Sequence, residues 1–289
     1  MTYRELWRTL TPLYDEGEAR AITDYVLDAG FGMGKADIIC GAVESLAADD
    51  EARLEGIFSR LRRGEPVQYV MGWAEFGGRR FSVRPGILIP RPETEELCAL
   101  ITADRQGCPS SKIVDIGTGS GCIAVTLALD VPGSDVSAWD ISPVALDVVH
   151  ENARANGAAV TVERRDALKL TPCGEQWDVV VSNPPYICDN EKKDMAANVL
   201  DFEPATALFV PDDDPLRFYR PITAYAAHTL RPGGALYFEL NPVYADEIAS
   251  TARACGFADV DIISDCYGKR RMMRARKAGR QIKSKSQQT

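Results

Sequence analysis

The sequence is poor in the residues that most often bind metals. It contains two histidines among 289 residues, and its eight cysteines are scattered without a C-x-x-C pair. Zinc sites are usually built from cysteine and histidine at short, regular spacings, and these residues do not form such a pattern. We therefore expect no metal cofactor, and we expect reduced thiols in a cytoplasmic protein.

Long hydrophobic runs are also missing. A membrane-spanning helix needs about 20 predominantly apolar residues, and no run in this chain approaches that length. The first eight residues include Arg4, Glu5 and Arg8, too many charges for the apolar region of a signal peptide. With 45% hydrophobic residues, the sequence indicates a globular protein of one large domain or two, without membrane contact.

Basic charge is scarce over most of the chain. The net charge is −9, but residues 268–289 contain nine of the 33 Lys and Arg residues and no Asp or Glu. Residues 1–267 therefore set 24 basic against 42 acidic residues, a net charge of −18. Because affinity for a phosphate backbone comes mainly from Lys and Arg, we expect no direct nucleic-acid binding by this part. The basic end is suited to RNA or an acidic partner, although such segments are more often disordered and solubilising.

The first third of the chain changes character twice. Apolar residues recur at helical spacing over residues 1–65, which predicts a small helical module with helices that include 35–46 and one capped by Asp50. Alternation around Gly77-Gly78 then predicts a β-hairpin. Prolines in the segment 87–96 enforce an extended backbone before a helix that starts at Thr94 or Pro92. This segment is either a wall of a binding site or a linker.

Strands and helices alternate from residue 112 onward. Strands are predicted at 112–116, 136–140, 160–163, 177–182, 234–240 and 259–263. Helices are predicted at 122–129, 143–156, 215–230 and 244–255, with Ser142 as an N-cap and Pro143 at the first helical position. Such alternation predicts a doubly wound, mostly parallel α/β sheet.

The ends of the first three strands have the features of a nucleoside site. Three glycines follow the first strand within 117–121, where they let the backbone approach a ligand before a helix with free N–H groups. Asp140 ends the second strand, where an acidic side chain can bind ribose hydroxyls, and Asp166 ends the third. A purely structural role for these glycines and acidic residues is the alternative.

The type of nucleoside follows from the residues around the glycines. Residues 119–124 formally fit the dinucleotide pattern, but that pattern is weak alone and lies late relative to the strand end. Asp115 within Asp-x-Gly-x-Gly-x-Gly is better suited to S-adenosylmethionine. The sulfonium and aminoacyl groups of that cofactor favour a carboxylate and need no pyrophosphate cradle.

A stiff acceptor motif, Asn-Pro-Pro-Tyr at 183–186, follows the fourth strand. Consecutive prolines cannot donate ladder hydrogen bonds and have a fixed φ, so the strand must end there. The turn presents an amide side chain, two backbone carbonyls and an aromatic ring at a sheet edge where ligands bind. It suits a planar substrate with an NH2 group. A buried strand that ends in a proline turn is the alternative.

Together these motifs resemble those of a known family. Residues 115–121, Asp140 and 183–186 are similar to motifs of class I, S-adenosylmethionine-dependent amino-methyltransferases. The Glu-Pro-Val-Gln-Tyr sequence at 65–69, the segment 87–96 and the Asp-x-x-Gly-x-x-Arg sequence at 265–271 narrow the resemblance to the release factor glutamine methyltransferases. It covers roughly residues 64–275. The chain departs from the family pattern after Glu239, where Leu-Asn-Pro follows, and at Ala167, where a tryptophan is common.

The resemblance implies a fold and a reaction. The fold is a seven-stranded, Rossmann-like class I methyltransferase sheet with a small N-terminal helical domain. The reaction is N5-methylation of the glutamine in the Gly-Gly-Gln motif of peptide chain release factors. S-adenosyl-L-methionine is the donor and S-adenosyl-L-homocysteine the product. We expect a monomer divided into a release-factor-binding helical domain (1–75), a hairpin and linker (76–98), a methyltransferase domain (99–275) and a disordered basic tail (276–289).

The site residues follow from the motifs and the resemblance together. The Asn183 Oδ1 and the Pro184 carbonyl are candidates to accept both N–H bonds of the substrate amide, with Tyr186 beside its plane. The predicted catalytic residues are Asn183, Pro184 and Tyr186. The predicted cofactor-binding residues are Asp115, Gly117, Thr118, Gly119, Ser120, Gly121, Asp140, Ile141, Asp166, Ala167 and Asn183. The predicted substrate-binding residues are Asn183, Pro184, Pro185, Tyr186, Arg91 and Glu93.

Two other functions fit the same motifs. An adenine-N6 or other nucleic-acid methyltransferase would use the Asn-Pro-Pro-Tyr motif on an exocyclic amine, with the aromatic ring stacked on a flipped base. The net charge of −18 and the lack of a basic recognition region argue against it. A non-catalytic adaptor that binds release factors through residues 1–65 is the third interpretation. A cofactor cradle beside an acceptor motif argues against that one.

Overall fold

The computed structural model describes residues 1–279. Their helices, in chain order, are α1 (Tyr3–Arg8), α2 (Glu16–Phe31), α3 (Lys35–Ile39), α4 (Ala48–Leu61), α5 (Val67–Met71), α6 (Pro92–Asp104), α7 (Cys122–Asp130), α8 (Pro143–Asn156), α9 (Ala197–Phe202), α10 (Ala205–Leu208), α11 (Tyr219–Thr229) and α12 (Ala245–Ala254). Their strands are β1 (Trp73–Phe76), β2 (Arg79–Ser82), β3 (Ser111–Ile116), β4 (Ser134–Asp140), β5 (Val160–Arg164), β6 (Trp177–Ser182), β7 (Ile187–Cys188), β8 (Phe209–Val210), β9 (Leu230–Glu239), β10 (Phe257–Ser264) and β11 (Arg270–Lys277).

The chain forms two compact units. The first comprises residues 1–73, 83–85 and 195–203, and the second comprises residues 74–82, 86–194 and the described residues from 204 onward. It differs from the predicted division, in which residues 76–98 form a separate hairpin and linker. The hairpin strand β2 belongs to the second unit, and helix α6 crosses the predicted boundary after residue 98. Because a helix forms as one cooperative run of hydrogen bonds, a domain boundary inside α6 is not tenable.

The first unit is helical, as the spacing of its apolar residues predicts. A capping box starts α1: the Thr2 hydroxyl accepts from the Glu5 N–H, and the Glu5 carboxylate accepts from the Thr2 N–H. Helix α2 ends at Gly32, whose φ of 67° suits the left-handed C-cap. Buried apolar side chains from α1, α2 and α4, among them Leu6 and Phe58, form the core of this unit.

Two helices of the first unit start or end differently from the prediction. The predicted helix 35–46 is shorter, because α3 ends at Ile39 and Gly41 then adopts a φ of 82°. A short 3-10 turn at Val43–Ser45 follows. Asp50 does not cap the next helix, since α4 already begins at Ala48 and Asp50 lies in its first turn.

The second unit is built on a seven-stranded sheet of order β10-β11-β9-β6-β3-β4-β5. Strands β9, β6, β3, β4 and β5 run parallel, and β11 is antiparallel to both β9 and β10. The predicted mostly parallel, doubly wound α/β sheet is thus confirmed. The chain builds the sheet outward from β3 in both directions, with β4 on one side and β6 on the other. Ligands bind outside the carboxyl ends of strands at such a reversal.

Helices cover both faces of the sheet because alternate residues of each strand face opposite sides. Ile113 of β3 belongs to a buried cluster with residues of α6, α7 and α8. Its neighbour Val114 belongs to a second cluster with residues of α11 and α12. Strands buried on both faces have apolar side chains in succession rather than in alternation, which explains the valine-rich run that ends at Ser182.

Strand β11 is the seventh strand, which the sequence pattern does not predict. Its arginines look like the start of a basic tail, but Arg274 and Arg276 each lie 3.0 Å from a carboxylate oxygen of Asp104. Arg274 also lies 2.7 Å from Asp261 on β10. These ion pairs give the charged side chains partners on α6 and β10, while Met273 and Ala275, which alternate with them along the strand, are buried.

The predicted tail therefore starts too early, because residues 276 and 277 end strand β11. The predicted disorder of the remaining tail falls mostly on residues 280–289, which lie outside the described residues. Helix α11 is also shorter than predicted. It begins at Tyr219, because residues 211–217 form turns. In these turns the backbone N–H of Asp214 donates to the Pro211 carbonyl, and that of Arg217 donates to the Asp214 carbonyl.

None of the helices within residues 1–279 combines the length and the apolar character needed to cross a lipid bilayer.

Candidate active site

A cavity of about 410 Å³ lies at the carboxyl ends of β3, β4, β5 and β6, a volume within the usual range for small-molecule sites. The predicted cofactor residues that line it are Gly117, Thr118, Gly119, Ser120, Asp140, Ile141, Asp166, Ala167 and Asn183. The predicted substrate residues that line it are Arg91, Asn183, Pro184 and Pro185. Asp115, Gly121, Glu93 and Tyr186 are not among the lining residues.

The glycine turn after β3 has two different reasons to contain glycine. Gly117, Gly119 and Gly121 all have positive φ, between 56° and 78°, a region that disfavours residues with a Cβ. A Cβ on Gly121 would also lie 3.0 Å from a Val149 methyl, so this glycine is needed for helix packing. At Gly117 and Gly119 a Cβ would meet nothing within 4 Å. The backbone at these two positions therefore faces open space that a ligand can enter.

Asp140 joins the glycine turn to the loop after β4. One carboxylate oxygen accepts from the Gly119 N–H at 3.0 Å, and the other accepts from the Ser142 N–H at 2.9 Å. An ionised carboxylate can accept about four hydrogen bonds, so Asp140 retains capacity for two hydroxyl groups. Next to it, Ile141 lines the cavity with 55% of its surface exposed, a large apolar side chain available to a bound ring.

The loop after β5 forms the wall beside Asp140. The Asp166 Oδ1 accepts from the Leu168 N–H at 2.9 Å, which fixes a turn whose Ala167 and Leu168 line the cavity. The Arg165 guanidinium stacks 3.8 Å from the centre of the Trp139 ring, a cation–π contact that attaches this loop to β4.

Asp115 lies beneath the glycine turn rather than in the cavity. Its side chain is fully buried, and one carboxylate oxygen accepts from the Thr118 hydroxyl at 2.6 Å. Burial raises the pKa of Asp115 to about 7, a rise that the Thr118 hydrogen bond opposes and the charge of Asp140 reinforces. Asp115, a predicted cofactor-binding residue, is not among the residues that line the cavity. Asp115 instead holds Thr118, which does line the cavity.

The acceptor motif is held by a chain of hydrogen bonds at the end of β6. The Asn183 Nδ2 donates to the Thr94 hydroxyl at 3.2 Å, and the Thr94 hydroxyl donates to the Glu239 Oε2 at 2.6 Å. The Tyr186 hydroxyl donates to the Glu239 Oε1 at 3.1 Å. Tyr186 is thus anchored to the end of β9, and its ring packs against the cluster around α11. Tyr186 is not among the residues that line the cavity, and its place beside the plane of the substrate amide stays a prediction.

The neighbouring strand ends are joined directly. The Ser182 hydroxyl at the end of β6 donates to the carbonyl of Ile116 at the end of β3, with a distance of 2.6 Å. In the parallel register of these strands, Asp115 is level with Val181. The glycine turn and the acceptor motif therefore start side by side from one sheet edge.

Glu239 is the buried charge of the site, with 2% of its surface exposed. Burial raises its pKa, whereas the hydrogen bonds from Thr94 and Tyr186 and the positive charge of Arg271 lower it. Burial and the nearby carboxylate raise the pKa of the Tyr186 hydroxyl, which therefore remains a proton donor to Glu239. Arg271 lies on β11, and its Nη2 is 3.8 Å from the Glu93 Oε1. Glu93, a predicted substrate-binding residue, thus faces Arg271 and does not line the cavity.

The residues that line this cavity fit S-adenosylmethionine. The open space over Gly117 and Gly119 admits a ligand close to the backbone of the turn. The N–H groups of these two glycines already donate to the Trp139 carbonyl and to Asp140. Asp140 has spare acceptor capacity for ribose hydroxyls, and Ile141 offers an apolar surface to adenine. Within residues 1–279, no group of three His, Cys, Asp or Glu side chains is placed to hold a metal ion.

Comparison with known proteins decides the family. A model of the PrmC N-terminal domain matches residues 8–72, and a model of the methyltransferase small domain matches residues 96–209. The release factor glutamine methyltransferase of Bacteroides thetaiotaomicron is 44% identical over 269 residues, which cover 93% of this chain and 96% of that protein. Those of Flavobacterium psychrophilum and Koribacter versatilis are 36% and 34% identical, covering 92% and 91% of this chain and 95% and 93% of theirs. The chain belongs to the release factor glutamine methyltransferase family.

Solved structures agree with this methyltransferase at the level of the fold. A methyltransferase from Pyrococcus furiosus matches with a TM-score of 0.52 and 16% identity, covering 80% of this chain and all of the other. The Thermus thermophilus 16S rRNA N2 G1207 methyltransferase, solved with AdoMet and guanosine, matches with a TM-score of 0.51 and 17% identity over 71% of this chain and 49% of the other.

Sequence reasoning missed two site residues of this methyltransferase. Thr94 is predicted only as a possible helix start, and Glu239 is named only as the residue after which the chain departs from the family pattern. They lie 145 positions apart and meet because α6 and the end of β9 are adjacent in the fold. The one signal in the sequence is that Thr94 and Glu239 are polar residues at positions where the strand and helix patterns predict a buried side chain. Phe218, just before α11, also lines the cavity without having been predicted.

Proposed function

We propose that this protein methylates the side-chain nitrogen of the glutamine in the Gly-Gly-Gln motif of peptide chain release factors, with S-adenosyl-L-methionine as the donor. The observation that carries the proposal is one cavity lined by both the glycine turn after β3 and the Asn-Pro-Pro motif after β6. A chain that belongs to the release factor glutamine methyltransferase family and has both halves of such a site is equipped for the reaction.

The cofactor side binds through backbone and strand-end groups. S-adenosylmethionine supplies an electrophilic methyl group on a sulfonium sulfur. Gly117 and Gly119 leave room for its aminoacyl part, while Asp140 accepts from its ribose hydroxyls. Ile141 and Ala167 form apolar walls for its adenine. Asp115 acts from beneath by holding Thr118 in place.

The acceptor side raises the reactivity of a poor nucleophile. The lone pair of an amide nitrogen is delocalised into its carbonyl. The Asn183 Oδ1 and the Pro184 carbonyl both belong to cavity-lining residues, where they accept the two N–H bonds of the substrate amide. Holding these bonds favours the pyramidal nitrogen of the transition state and orients it for in-line attack. The excess proton on the product nitrogen passes to water after the methyl group has transferred, so no strong general base is needed.

The remaining surroundings follow from this reaction. Arg91 lines the cavity at the start of α6 and is proposed to contact the substrate loop, with Pro185 as its apolar neighbour. The helical first unit is proposed to bind the release factor. We infer a monomer that works in the cytoplasm, where its substrates act, without a metal and without direct contact to nucleic acid.

The test is transfer of label from radioactive S-adenosylmethionine. The purified protein is incubated with a release factor, with the same factor carrying a Gln→Ala change in the Gly-Gly-Gln motif, and with DNA. We expect label on the unmodified release factor alone. Label on DNA would establish the nucleic-acid reaction instead. Labelling of both release factors would move the reaction to another side chain, and no label on any substrate would overturn the proposal.

A further inference from the structure

We propose that Thr94 and Glu239 are positioning residues that determine which end of the Asn183 side-chain amide faces the substrate. The inference rests on the proposed function, because it gives a reason for the acceptor role of Asn183. Neither Thr94 nor Glu239 needs to touch the substrate. Together they set the direction of a hydrogen-bond chain that ends at the reacting amide.

The chain starts at a group that can only accept. The ionised Glu239 carboxylate has no proton to give, and both of its oxygens are engaged, Oε2 by the Thr94 hydroxyl at 2.6 Å and Oε1 by the Tyr186 hydroxyl at 3.1 Å. A threonine hydroxyl carries one proton and two lone pairs. Once that proton points to Glu239, Thr94 can offer its other neighbour only a lone pair.

That other neighbour is Asn183, at 3.2 Å from the Thr94 oxygen. Since Thr94 can only accept there, the NH2 end of the Asn183 amide must face it. The Oδ1 end must then face away from Thr94, and among the described residues it accepts no hydrogen bond. The amide ends of asparagine are nearly equal in size, so shape alone does not distinguish the two orientations. The direction of the Thr94 proton does.

The orientation matters because the substrate also presents an NH2 group. With Oδ1 toward the cavity, Asn183 accepts a substrate N–H bond, as the mechanism requires. With the amide reversed, two NH2 groups would face each other, and the acceptor pair with the Pro184 carbonyl would be lost. A buried carboxylate at the end of β9 thus controls the polarity of a side chain at the end of β6.

The surroundings of Glu239 act on its ionisation in both directions, and burial, the largest cause, raises its pKa. Two hydroxyl donors and the positive charge of Arg271 stabilise the carboxylate, while burial and the charge of Glu93 oppose ionisation. Arg271 also lies 3.4 Å from the Asp265 carboxylate, so its charge is shared between acidic groups. Thr94 itself has 2% of its surface exposed. Water therefore has little access to replace either partner in the chain.

The test compares Thr94→Val with Thr94→Ser. Valine has nearly the shape of threonine but cannot accept from Asn183, whereas serine keeps the hydroxyl. We expect kcat for release-factor methylation to fall about tenfold or more in Thr94→Val, the loss of one oriented hydrogen bond. The Kd for S-adenosylmethionine should stay within about twofold. Thr94→Ser should recover most of kcat, which a purely structural role at this position would not require.

Thr126→Val is the matched control. Thr126 is also a buried threonine, with 4% of its surface exposed, and its hydroxyl has no hydrogen-bond partner among the described residues. Its replacement should leave kcat unchanged. If Thr94→Val unfolds, as circular dichroism would show, Thr94→Ala removes the same hydroxyl without adding bulk and should show the same loss.

The possible results separate this inference from the proposed function. If the unmodified protein does not label the release factor, both fail. If it does, and Thr94→Val retains its kcat, only the positioning role is wrong. Equal losses in Thr94→Val and Thr94→Ser would likewise overturn it, because the hydroxyl would then not be the decisive group.

Discussion

The two sides of the cavity are built in different ways. The cofactor side consists of short turns, held by backbone conformation and by carboxylates that accept from N–H groups two residues away. One longer bond joins Asp140 to the neighbouring glycine turn. The acceptor side depends on side chains from α6, the end of β6 and the end of β9. The first side is therefore specified mostly locally along the chain. The second exists only after the sheet has assembled.

The largest effect is expected at the acceptor. Asn183→Ala removes the side-chain oxygen proposed to hold the substrate, and the rate should fall by about a hundredfold or more, as for other preorganised hydrogen-bonding groups. The Kd for S-adenosylmethionine, measured by calorimetry, should change by less than about threefold, because the cofactor turns do not depend on this residue. A large loss of cofactor affinity would mean that the two sides are not separate.

The glycine turn offers a matched pair of substitutions. Gly121→Ala adds a Cβ both to a left-handed backbone and to a 3.0 Å contact with Val149. Unfolding in urea should show a loss of about 2 kcal/mol or more. Gly119→Ala carries the same backbone strain without the clash, so its loss should be about 1–2 kcal/mol. Cofactor affinity should fall in Gly119→Ala beyond what stability explains, since the new methyl enters the cavity. Equal free energies of unfolding for the two variants would show that the contact with Val149 does not distinguish Gly121 from Gly119.

The acceptor side should respond to acid. Burial raises the pKa of Glu239, so protonation begins at a higher pH than for an ordinary glutamate, and a protonated Glu239 no longer dictates the Thr94 proton. As pH falls through this raised pKa, kcat should fall with it. In Glu239→Gln this fall of kcat at low pH should disappear, and kcat should be lower and depend less on pH. A rate independent of pH in the unmodified protein, down to where it unfolds, would contradict this.

The cofactor side should respond to pH through stability instead. Asp115 has its pKa raised from 3.8 to about 7, so the folded state binds its proton more tightly than the unfolded state. This contribution to stability is present below pH 3.8 and is lost as pH rises through about 7. In Asp115→Asn, the melting temperature of the cofactor-free protein should depend less on pH over this interval. An unchanged slope would show that Asp115 ionises without cost.

The same contrast explains what the sequence can predict. The sequence predicts the glycine turn, Asp140 and the Asn-Pro-Pro-Tyr motif because backbone rules act within a few residues. The alternating strands and helices predict the sheet. The roles of Thr94 and Glu239 cannot be predicted in this way, because each is an ordinary polar residue until α6 and β9 come together. Strand β11 was missed for a related reason. Its arginines suggest a solvated tail until two carboxylates pair with them: Asp104, 170 positions from Arg274, and Asp261 on the adjacent strand.

The hydrogen bond from Ser182 to Ile116 bears on the distance between the cofactor loop after β3 and the acceptor loop after β6. Neighbouring strands in any sheet are about 4.8 Å apart, and this bond joins β6 to β3 at the last residues before both loops begin. The separation between the two loops is thus inherited from the repeat of the backbone ladder, a distance that side-chain substitution hardly alters. Mutations can change what each loop presents, but the interval between them is a property of β-structure itself.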